Sequence, residues 1–169
     1  EFLQRGSSNH TDMNDKPLKL PKLLLAEMIA HALERDPEEC CGLLLGRGNT
    51  VTRLRRIRNI HESRVNRFKM DPLDLIEAER DTDGAGEKFV AIYHSHTYSQ
   101  GYPSDTDVRN AVESGWLDLF YVLISLVEKT RPVVRAYRIS DDGAVAERFI
   151  GVLGAGSYTS GTTRPGLVE

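Results

Sequence analysis

Apolar residues recur along the chain at two spacings, which predict helices and strands. Between residues 21 and 35 they recur three and four positions apart, which predicts a helix that ends before Pro37. Further helices are predicted at 71–80, where an Asp-Pro pair can open the helix, and at 104–114, where Gly115 can end it. Short apolar runs predict strands at 41–45, 51–58, 89–93, 119–127, 133–139 and 144–150.

Polar segments connect and flank these elements. The longest connection covers 59–70, and a glycine-containing polar loop is predicted at 81–88. Residues 1–16 show no periodicity and are interpreted as a tag or a disordered N-terminus. The segment 152–169 is rich in glycine, serine and threonine and is predicted to be a flexible tail. We therefore expect one domain at 17–151.

The most informative stretch follows the strand predicted at 89–93. His94 and His96 come next with one residue between them, and alternate side chains of a strand point to the same face. Ser104 and Asp107 stand at a predicted helix start, on one side of its first turn, so Asp107 can face the imidazoles. Two imidazoles and one carboxylate make a three-ligand site of the kind that holds catalytic zinc and a water.

Each half of this pattern also has a purely structural explanation. A His-x-His pair on a strand is weak evidence for a metal when it stands alone. Ser104 followed by Asp107 is typical of a helix N-terminus, where the serine caps the helix and the acid complements its dipole. The two roles are compatible, because an acid at the helix end can also ligate a metal. The stretch supplies no general base, which such a site needs.

The spacing resembles the JAMM motif of the MPN+ metallopeptidases, in which His-x-His is followed after seven residues by Ser-x-x-Asp. That family places a glutamate well upstream, just before a Cys-Gly pair. Glu39, Cys41 and Gly42 stand in this register. Considered alone, Glu39 is better explained as a loop carboxylate that faces water, and Glu38 competes with it for the role of base.

The detailed sequence at 92–97 and 102–107 is closest to a small bacterial branch of this family. Members of that branch cleave adducts from the C-terminus of ubiquitin-like sulfur-carrier proteins. The resemblance covers residues 18–150. Thr97 stands where the family more commonly has proline, and the bacterial branch tolerates threonine there.

The resemblance implies an α/β fold, a single JAMM domain of cytidine-deaminase-like architecture with a central mixed sheet flanked by helices. It also implies one zinc ion per chain, held by His94, His96 and Asp107. Glu39 would be the general base that takes a proton from the zinc-bound water. Ser104 would donate a hydrogen bond to the oxyanion. The expected activity is that of a deubiquitinase-like zinc metalloprotease.

The implied substrate is the extended C-terminal tail of a ubiquitin-like or sulfur-carrier protein, cut after its Gly-Gly. Such a tail can bind by strand pairing, and a narrow groove favours glycine. The loop 98–102 is a candidate wall of that groove, with Tyr98, Gly101 and Tyr102 as substrate-binding residues. The sequence leaves open whether an amino acid, a peptide or a protein is released, and a homodimer also stays open.

Composition narrows the cellular setting. The chain has 169 residues with a net charge of −3, and no apolar run is long enough to span a membrane. The basic stretch 53–58 alternates charged with apolar residues, which favours a solvated strand over a nucleic-acid surface. Cys40 and Cys41 are adjacent and the chain has no third cysteine, so no disulfide is expected and the cytoplasm is the predicted location. Cys41 is predicted to be a small buried residue, with a catalytic thiol as the alternative.

Three other functions are disfavoured by the sequence. A non-catalytic MPN scaffold would lack ligands or the glutamate, whereas all five family positions are present here. A zinc nucleobase deaminase needs His-x-Glu and Pro-Cys-x-x-Cys, and neither occurs. A DNA-repair branch of the superfamily is disfavoured because the chain is not basic.

Overall fold

An eight-stranded mixed sheet organises the chain, in the order β7-β6-β5-β4-β2-β3-β1-β8. The computed structural model describes residues 15–154. The strands are β1 (Leu18–Pro21), β2 (Cys41–Arg47), β3 (Thr50–Ile57), β4 (Lys88–His96), β5 (Phe120–Ser125), β6 (Val133–Ile139), β7 (Val145–Arg148) and β8 (Ile150–Leu153). The helices are α1 (Lys22–Arg35), α2 (Pro72–Ala85) and α3 (Asp105–Ser114). The predicted α/β class with a mixed sheet is confirmed.

The sheet is rolled so that its two edges meet at one corner. Strand β7 ends at Arg148 and β8 begins at Ile150, yet the two strands stand at opposite ends of the strand order. Phe149 alone joins them, and its carbonyl accepts a hydrogen bond from the Leu18 N–H at 2.9 Å. Strand β1 then pairs in parallel with both β3 and β8, which ties the first and last strands of the domain together.

The sheet separates two apolar cores. Helix α1 packs on one face, where Met28 joins the first core. Helices α2 and α3 pack on the other face through Ala78 and Ala111. Successive residues of β2 alternate between these cores, with Leu43 in the second and Leu44 in the first. Both faces of the central strands are therefore buried, which explains their nearly continuous apolar sequence.

Two elements extend beyond the boundaries predicted from the sequence. Helix α2 continues to Ala85, through most of the loop predicted at 81–88, and ends at Gly86 with a left-handed φ of 65°. Its polar residues have tertiary partners, since Arg55 of β3 pairs with Asp81. Strand β8 extends the domain past the predicted end at 151, because Val152 and Leu153 pair with β1. The rest of the predicted tail, like residues 1–14, lies outside the described residues.

The arginines of the basic stretch 53–58 are paired with carboxylates rather than forming a free basic surface. The pairs are Arg53–Glu87, Arg55–Glu77, Arg56–Glu34 and Arg58–Asp74. Glu77 belongs to α2 and Glu34 to α1, so the arginines of this stretch lie on both faces of the sheet. Within residues 15–154, no helix has the length and apolar character needed to cross a membrane.

Gly42 is required where β2 meets β4. It lies directly opposite Tyr93 in the antiparallel ladder. The Tyr93 ring is fully buried above it, and its hydroxyl shares a 2.9 Å hydrogen bond with His31 Nδ1 of α1. A Cβ atom at position 42 would lie 2.3 Å from the ring, so no larger residue fits without moving Tyr93. This contact gives the glycine of the Cys-Gly pair a packing role.

We predict that Gly42→Ala destabilises the fold by about 1–3 kcal/mol, the usual cost of overpacking a rigid core. The free energy of unfolding in urea measures the effect. Gly84→Ala is the matched control, because Gly84 lies inside α2 and a Cβ atom added there would have no neighbour within 4 Å. That control should be stabilised by about 0.5–1 kcal/mol, since alanine restricts the unfolded chain and favours helix. Equal changes in the two variants would contradict the packing role.

Candidate metal centre

Three side chains from two elements converge beside the end of β4. His94 and His96 are buried residues at the end of that strand, and Asp107 lies in the first turn of α3. The Nε2 atoms of the two histidines are 3.2 Å apart. Asp107 Oδ2 lies 3.1 Å from Nε2 of His96 and 3.3 Å from Nε2 of His94. Within residues 15–154 this is the one cluster of histidine, cysteine or acidic residues whose ligand atoms converge.

The size of this triangle fits zinc. Nitrogen and oxygen ligands of zinc lie at about 2.0–2.1 Å, so neighbouring corners of the tetrahedron are separated by about 3.3–3.4 Å. The three observed edges of 3.1 to 3.3 Å match one face of such a tetrahedron. Two imidazoles and one carboxylate are also a donor set that zinc accepts, and they leave a fourth position for water or substrate. The residues present therefore fit the metal that the sequence predicts.

The start of α3 fixes the carboxylate. Ser104 is the N-cap, and its Oγ accepts a hydrogen bond from the Asp107 N–H at 3.1 Å. Asp107 Oδ2 in turn accepts from the Ser104 N–H at 2.8 Å, which completes a capping box. The structural and the metal-binding explanations of this pair are therefore compatible, because the capping oxygen is the one that faces the imidazoles.

A backbone carbonyl orients His96. The Gln100 carbonyl oxygen lies 2.8 Å from His96 Nδ1. A carbonyl only accepts, so Nδ1 carries the proton and donates it. In the neutral ring this leaves the Nε2 lone pair directed at the triangle, which is the form that binds a metal.

An aromatic ring supports His94, whose Nδ1 atom lacks the kind of hydrogen bond that orients His96. The Phe68 ring stacks on the His94 ring, with centroids 4.4 Å apart and planes 27° apart. His94 Nδ1 is buried and has no hydrogen-bond partner among the described residues. Packing therefore sets the orientation of this ring.

The charge state of the cluster is suited to a cation. Burial alone would raise the pKa of Asp107, but the two imidazoles and the Ser104 N–H hold it well below its usual range. Burial lowers the pKa of His94, so that ring is neutral near neutral pH. Burial opposes protonation of His96 too, but the Asp107 carboxylate outweighs it and raises the pKa of His96. A proton and a metal ion therefore compete for the same three groups.

The ladder between β2 and β4 places Glu39 beside these residues. Cys41 pairs with His94, and residues directly opposite in an antiparallel ladder share a face. Glu39 stands two residues before Cys41, and His96 stands two residues after His94. Because the strands are antiparallel, Glu39 therefore lies across from His96 on the same face. The side chain is only 6% exposed, and burial raises the pKa of Glu39 to about 7, because the positive charges of His96 and Arg67 offset only part of the desolvation.

Glu38 is turned away from the cluster. Its carboxylate pairs with Arg35 at 2.8 Å and with Arg64 at 3.1 Å. Glu39 lines the cleft that contains His96 and Asp107, and Glu38 does not. Of the two candidate bases, the geometry therefore favours Glu39.

A cleft of about 230 Å³ opens over the cluster. The sequence-predicted residues that line it are Glu39, His96, Tyr98, Ser104 and Asp107. Gly101 and Tyr102 do not line it, so their contact with substrate stays a prediction. Gly101 is buried against β5 and β6, where its carbonyl accepts a hydrogen bond from the Tyr137 hydroxyl. Tyr102 packs on the same Tyr137 ring instead.

Sequence reasoning missed the connection 59–70 as part of the site. Val65, Asn66 and Arg67 line the cleft, and the Thr97 hydroxyl donates to the Val65 carbonyl at 3.3 Å. Thr97 stands where the family more commonly has proline, and this hydrogen bond shows that its hydroxyl ties the strand end to the connection 59–70. No periodicity marked these residues, because the connection is held by long-range contacts rather than by its own secondary structure.

A second opening, an apolar groove of about 340 Å³, adjoins the same ligands. His94 and Asp107 are among the residues that line it. Its apolar walls are Phe68, Met70, Leu75, Ile92, Trp116 and Tyr121. Because Asp107 lines both openings, the cleft and the groove meet at the cluster.

The cysteines do not take part in this chemistry. Both are free and buried, and Cys40 belongs to the first core and Cys41 to the second. Burial raises the pKa of Cys40 to about 11 and that of Cys41 further still, so neither is a thiolate at neutral pH. The prediction that Cys41 is a small buried residue is confirmed.

We predict that Phe68→Leu weakens zinc binding about 10- to 100-fold, the range seen when support of a metal ligand is lost. Competition with a chromophoric chelator measures the affinity. Phe89→Leu is the matched control, because Phe89 packs on Trp116 and its replacement removes a similar ring without touching His94. A Phe68→Leu variant that binds zinc as tightly as the control would show that the stack does not hold the ligand.

Comparison with known proteins identifies the family of this chain. Residues 21–140 match the family described as prokaryotic homologs of the JAB domain. A protein from Mycobacterium tuberculosis named CysO-cysteine peptidase is 38% identical over 131 residues, which cover 77% of this chain and 87% of the relative. A probable TtuB-protein conjugate cleaving protease from Thermus thermophilus is 37% identical over 94 residues, covering 56% of this chain and 63% of the relative.

A solution structure of a protein from Desulfitobacterium hafniense superposes on this fold with a TM-score of 0.70 at 34% identity, covering 80% of this chain and 92% of that one. The family match spans well over half of the chain and includes Glu39, His94, His96, Ser104 and Asp107. The resemblance to the JAMM/MPN+ family is thereby confirmed. This chain belongs to the prokaryotic JAB (JAMM/MPN) family.

Proposed function

We propose that the chain is a zinc-dependent peptidase that hydrolyses the bond after the C-terminal Gly-Gly of a ubiquitin-like or sulfur-carrier protein. The observation that carries the proposal is the convergence of His94, His96 and Asp107 beside Glu39 in one cleft. The names of the relatives support the substrate class, since they describe peptidases of CysO and of TtuB conjugates. A non-catalytic scaffold would need neither the ligand triangle nor a buried carboxylate next to it.

In this proposal His94, His96 and Asp107 hold the zinc ion. Zinc at this position would polarise the scissile carbonyl and acidify a water at neutral pH. Glu39 accepts a proton from the attacking water and later delivers it to the leaving amine. Its raised pKa, about 7, suits both tasks, because the carboxylate can gain and lose the proton near neutral pH.

Ser104 is free to donate its hydroxyl proton toward the substrate. Its Oγ already accepts the Asp107 N–H, so the oxygen is fixed in place by the helix cap. No described acceptor takes its own hydrogen, and the residue is exposed at the cleft. A positioned donor of this kind stabilises the developing oxyanion in the transition state.

The two openings suggest how the substrate lies. The leaving amine must be near Glu39, because it receives its proton from that carboxylate. The leaving group therefore occupies the cleft, and the carrier tail enters from the opposite side, along the apolar groove. The apolar walls of that groove can pack against the tail, and Asp107, which lines both openings, lies where the tail would reach the cleft.

We predict that Glu39→Gln lowers kcat/KM by at least about 100-fold, since proton transfer by a positioned base contributes that much or more. Cleavage of a sulfur carrier extended past Gly-Gly by one amino acid, followed by intact mass, measures it. Zinc content should stay at one per chain, because Glu39 is not a ligand. Treatment of the wild type with a chelator should also abolish cleavage.

Glu38→Gln is the control for this variant. Glu38 is adjacent and also acidic, but it pairs with Arg35 and Arg64 outside the cleft. It should retain activity within about threefold, as exposed ion pairs contribute little. Similar losses in the two variants would contradict the role of Glu39. Undiminished cleavage after chelation would contradict the proposed zinc chemistry as a whole.

A further inference from the structure

One cation in the cleft has no role in zinc binding or proton transfer. Arg67 lines the cleft together with Glu39, His96 and Asp107. Its side chain is exposed, and its Nη1 donates only to the Asn66 carbonyl, at 2.8 Å. Among residues 15–154 no carboxylate pairs with it. It is also the one arginine that lines the cleft.

Other arginines near the site, unlike Arg67, pair with carboxylates. Arg64, in the same connection, pairs with Glu38 at 3.1 Å. Arg56 of β3 and Arg58, directly after β3, also pair with carboxylates. The guanidinium of Arg67 therefore remains available to a negatively charged ligand in the cleft.

The charges in the cleft show which part of a substrate would need this cation. Glu39 and Asp107 are acidic, so a further carboxylate brought into the cleft would be repelled. Arg67 lies close enough to Glu39 to lower its pKa, against the larger effect of burial. Because Arg67 and Glu39 line the same cleft, the positive charge is on the side where the leaving amine is expected. A guanidinium binds a carboxylate through two parallel hydrogen bonds.

The chemistry of the leaving group fits this placement. If the adduct is a single amino acid, its α-carboxylate is joined to the carbon that bears the leaving amine. That carboxylate would then lie beside Arg67 while the amine faces Glu39. If the adduct is a protein joined through a lysine side chain, an uncharged methylene chain would occupy the same place.

We propose that Arg67 binds the free α-carboxylate of the leaving group, so that the preferred substrate is a carrier protein extended by one amino acid. This inference rests on the proposed function. In the step, the amide C–N bond breaks and the water oxygen bonds to the carbonyl carbon. A proton of the water passes through Glu39 to the amine. The product is a free amino acid, whose carboxylate is bound by Arg67 until the amino acid is released.

The test compares three substrates that share one carrier protein. In the first, Gly-Gly is followed by alanine with a free carboxylate, and in the second by alanine amide. In the third, Gly-Gly is joined to the Nε atom of lysine within a capped peptide. The wild type should cleave the free acid with a kcat/KM about tenfold or more above that of the other two, as expected for loss of a charge-assisted hydrogen bond.

Arg67→Gln should lower kcat/KM for the free acid at least about tenfold more than for the amide, chiefly through KM. Arg67→Lys should restore part of the preference, because it restores the charge without the planar fork. Arg64→Gln is the matched control, and it should keep the full preference for the free acid. Zinc content, measured for each variant, should stay at one per chain.

Two results would overturn the inference while leaving the proposed function intact. One is equal cleavage of acid and amide by the wild type. The other is an equal loss on both substrates in Arg67→Gln, which would assign Arg67 a structural role or an effect on Glu39 alone. Absence of cleavage of all three substrates by the zinc-loaded wild type would overturn the proposed function, and this inference with it.

Discussion

The site depends on the register between β2 and β4. Two hydrogen bonds fix this register where β2 begins: the Cys40 N–H donates to Ser95 Oγ at 2.8 Å, and the Ser95 N–H donates to the Cys40 carbonyl at 3.1 Å. They place Glu39 across from His96. A shift by one residue would turn every side chain of the strand to the other face, and the carboxylate would leave the cleft. The fit of Tyr93 over Gly42 opposes such a shift, because it tolerates no side chain at that position.

The proposed metal ligands show how a small domain can stabilise buried polar groups with few contacts. Each ligand is held by a different kind of interaction: a backbone carbonyl for His96, an aromatic stack for His94 and a helix cap for Asp107. The capping box at α3 serves two purposes, since it caps the start of the helix and also holds the ionised carboxylate toward the imidazoles. The same oxygen that would stabilise a helix in any protein is thus part of the proposed metal centre.

The residues of the metal cluster could be predicted from sequence because their spacing is local. His-x-His on a strand and an acid at a helix start are patterns of a few residues, and the structure brings His94, His96 and Asp107 together. The position of Glu39 depends on a ladder between distant segments, so only the family resemblance selected it over Glu38. The connection 59–70 escaped prediction for the same reason. Strands β1 and β8 were missed because each is short and pairs with a segment far away in the chain.

The most direct test of this account is X-ray absorption at the zinc edge of the metal-loaded protein, with the zinc content of a His96→Ala, Asp107→Ala double variant measured alongside. The account predicts one zinc per chain with only nitrogen and oxygen ligands, at about 2.0–2.1 Å, and loss of the metal in the double variant. A sulfur ligand at about 2.3 Å would assign the metal to a cysteine instead. That result, or full zinc occupancy in the double variant, would contradict the account.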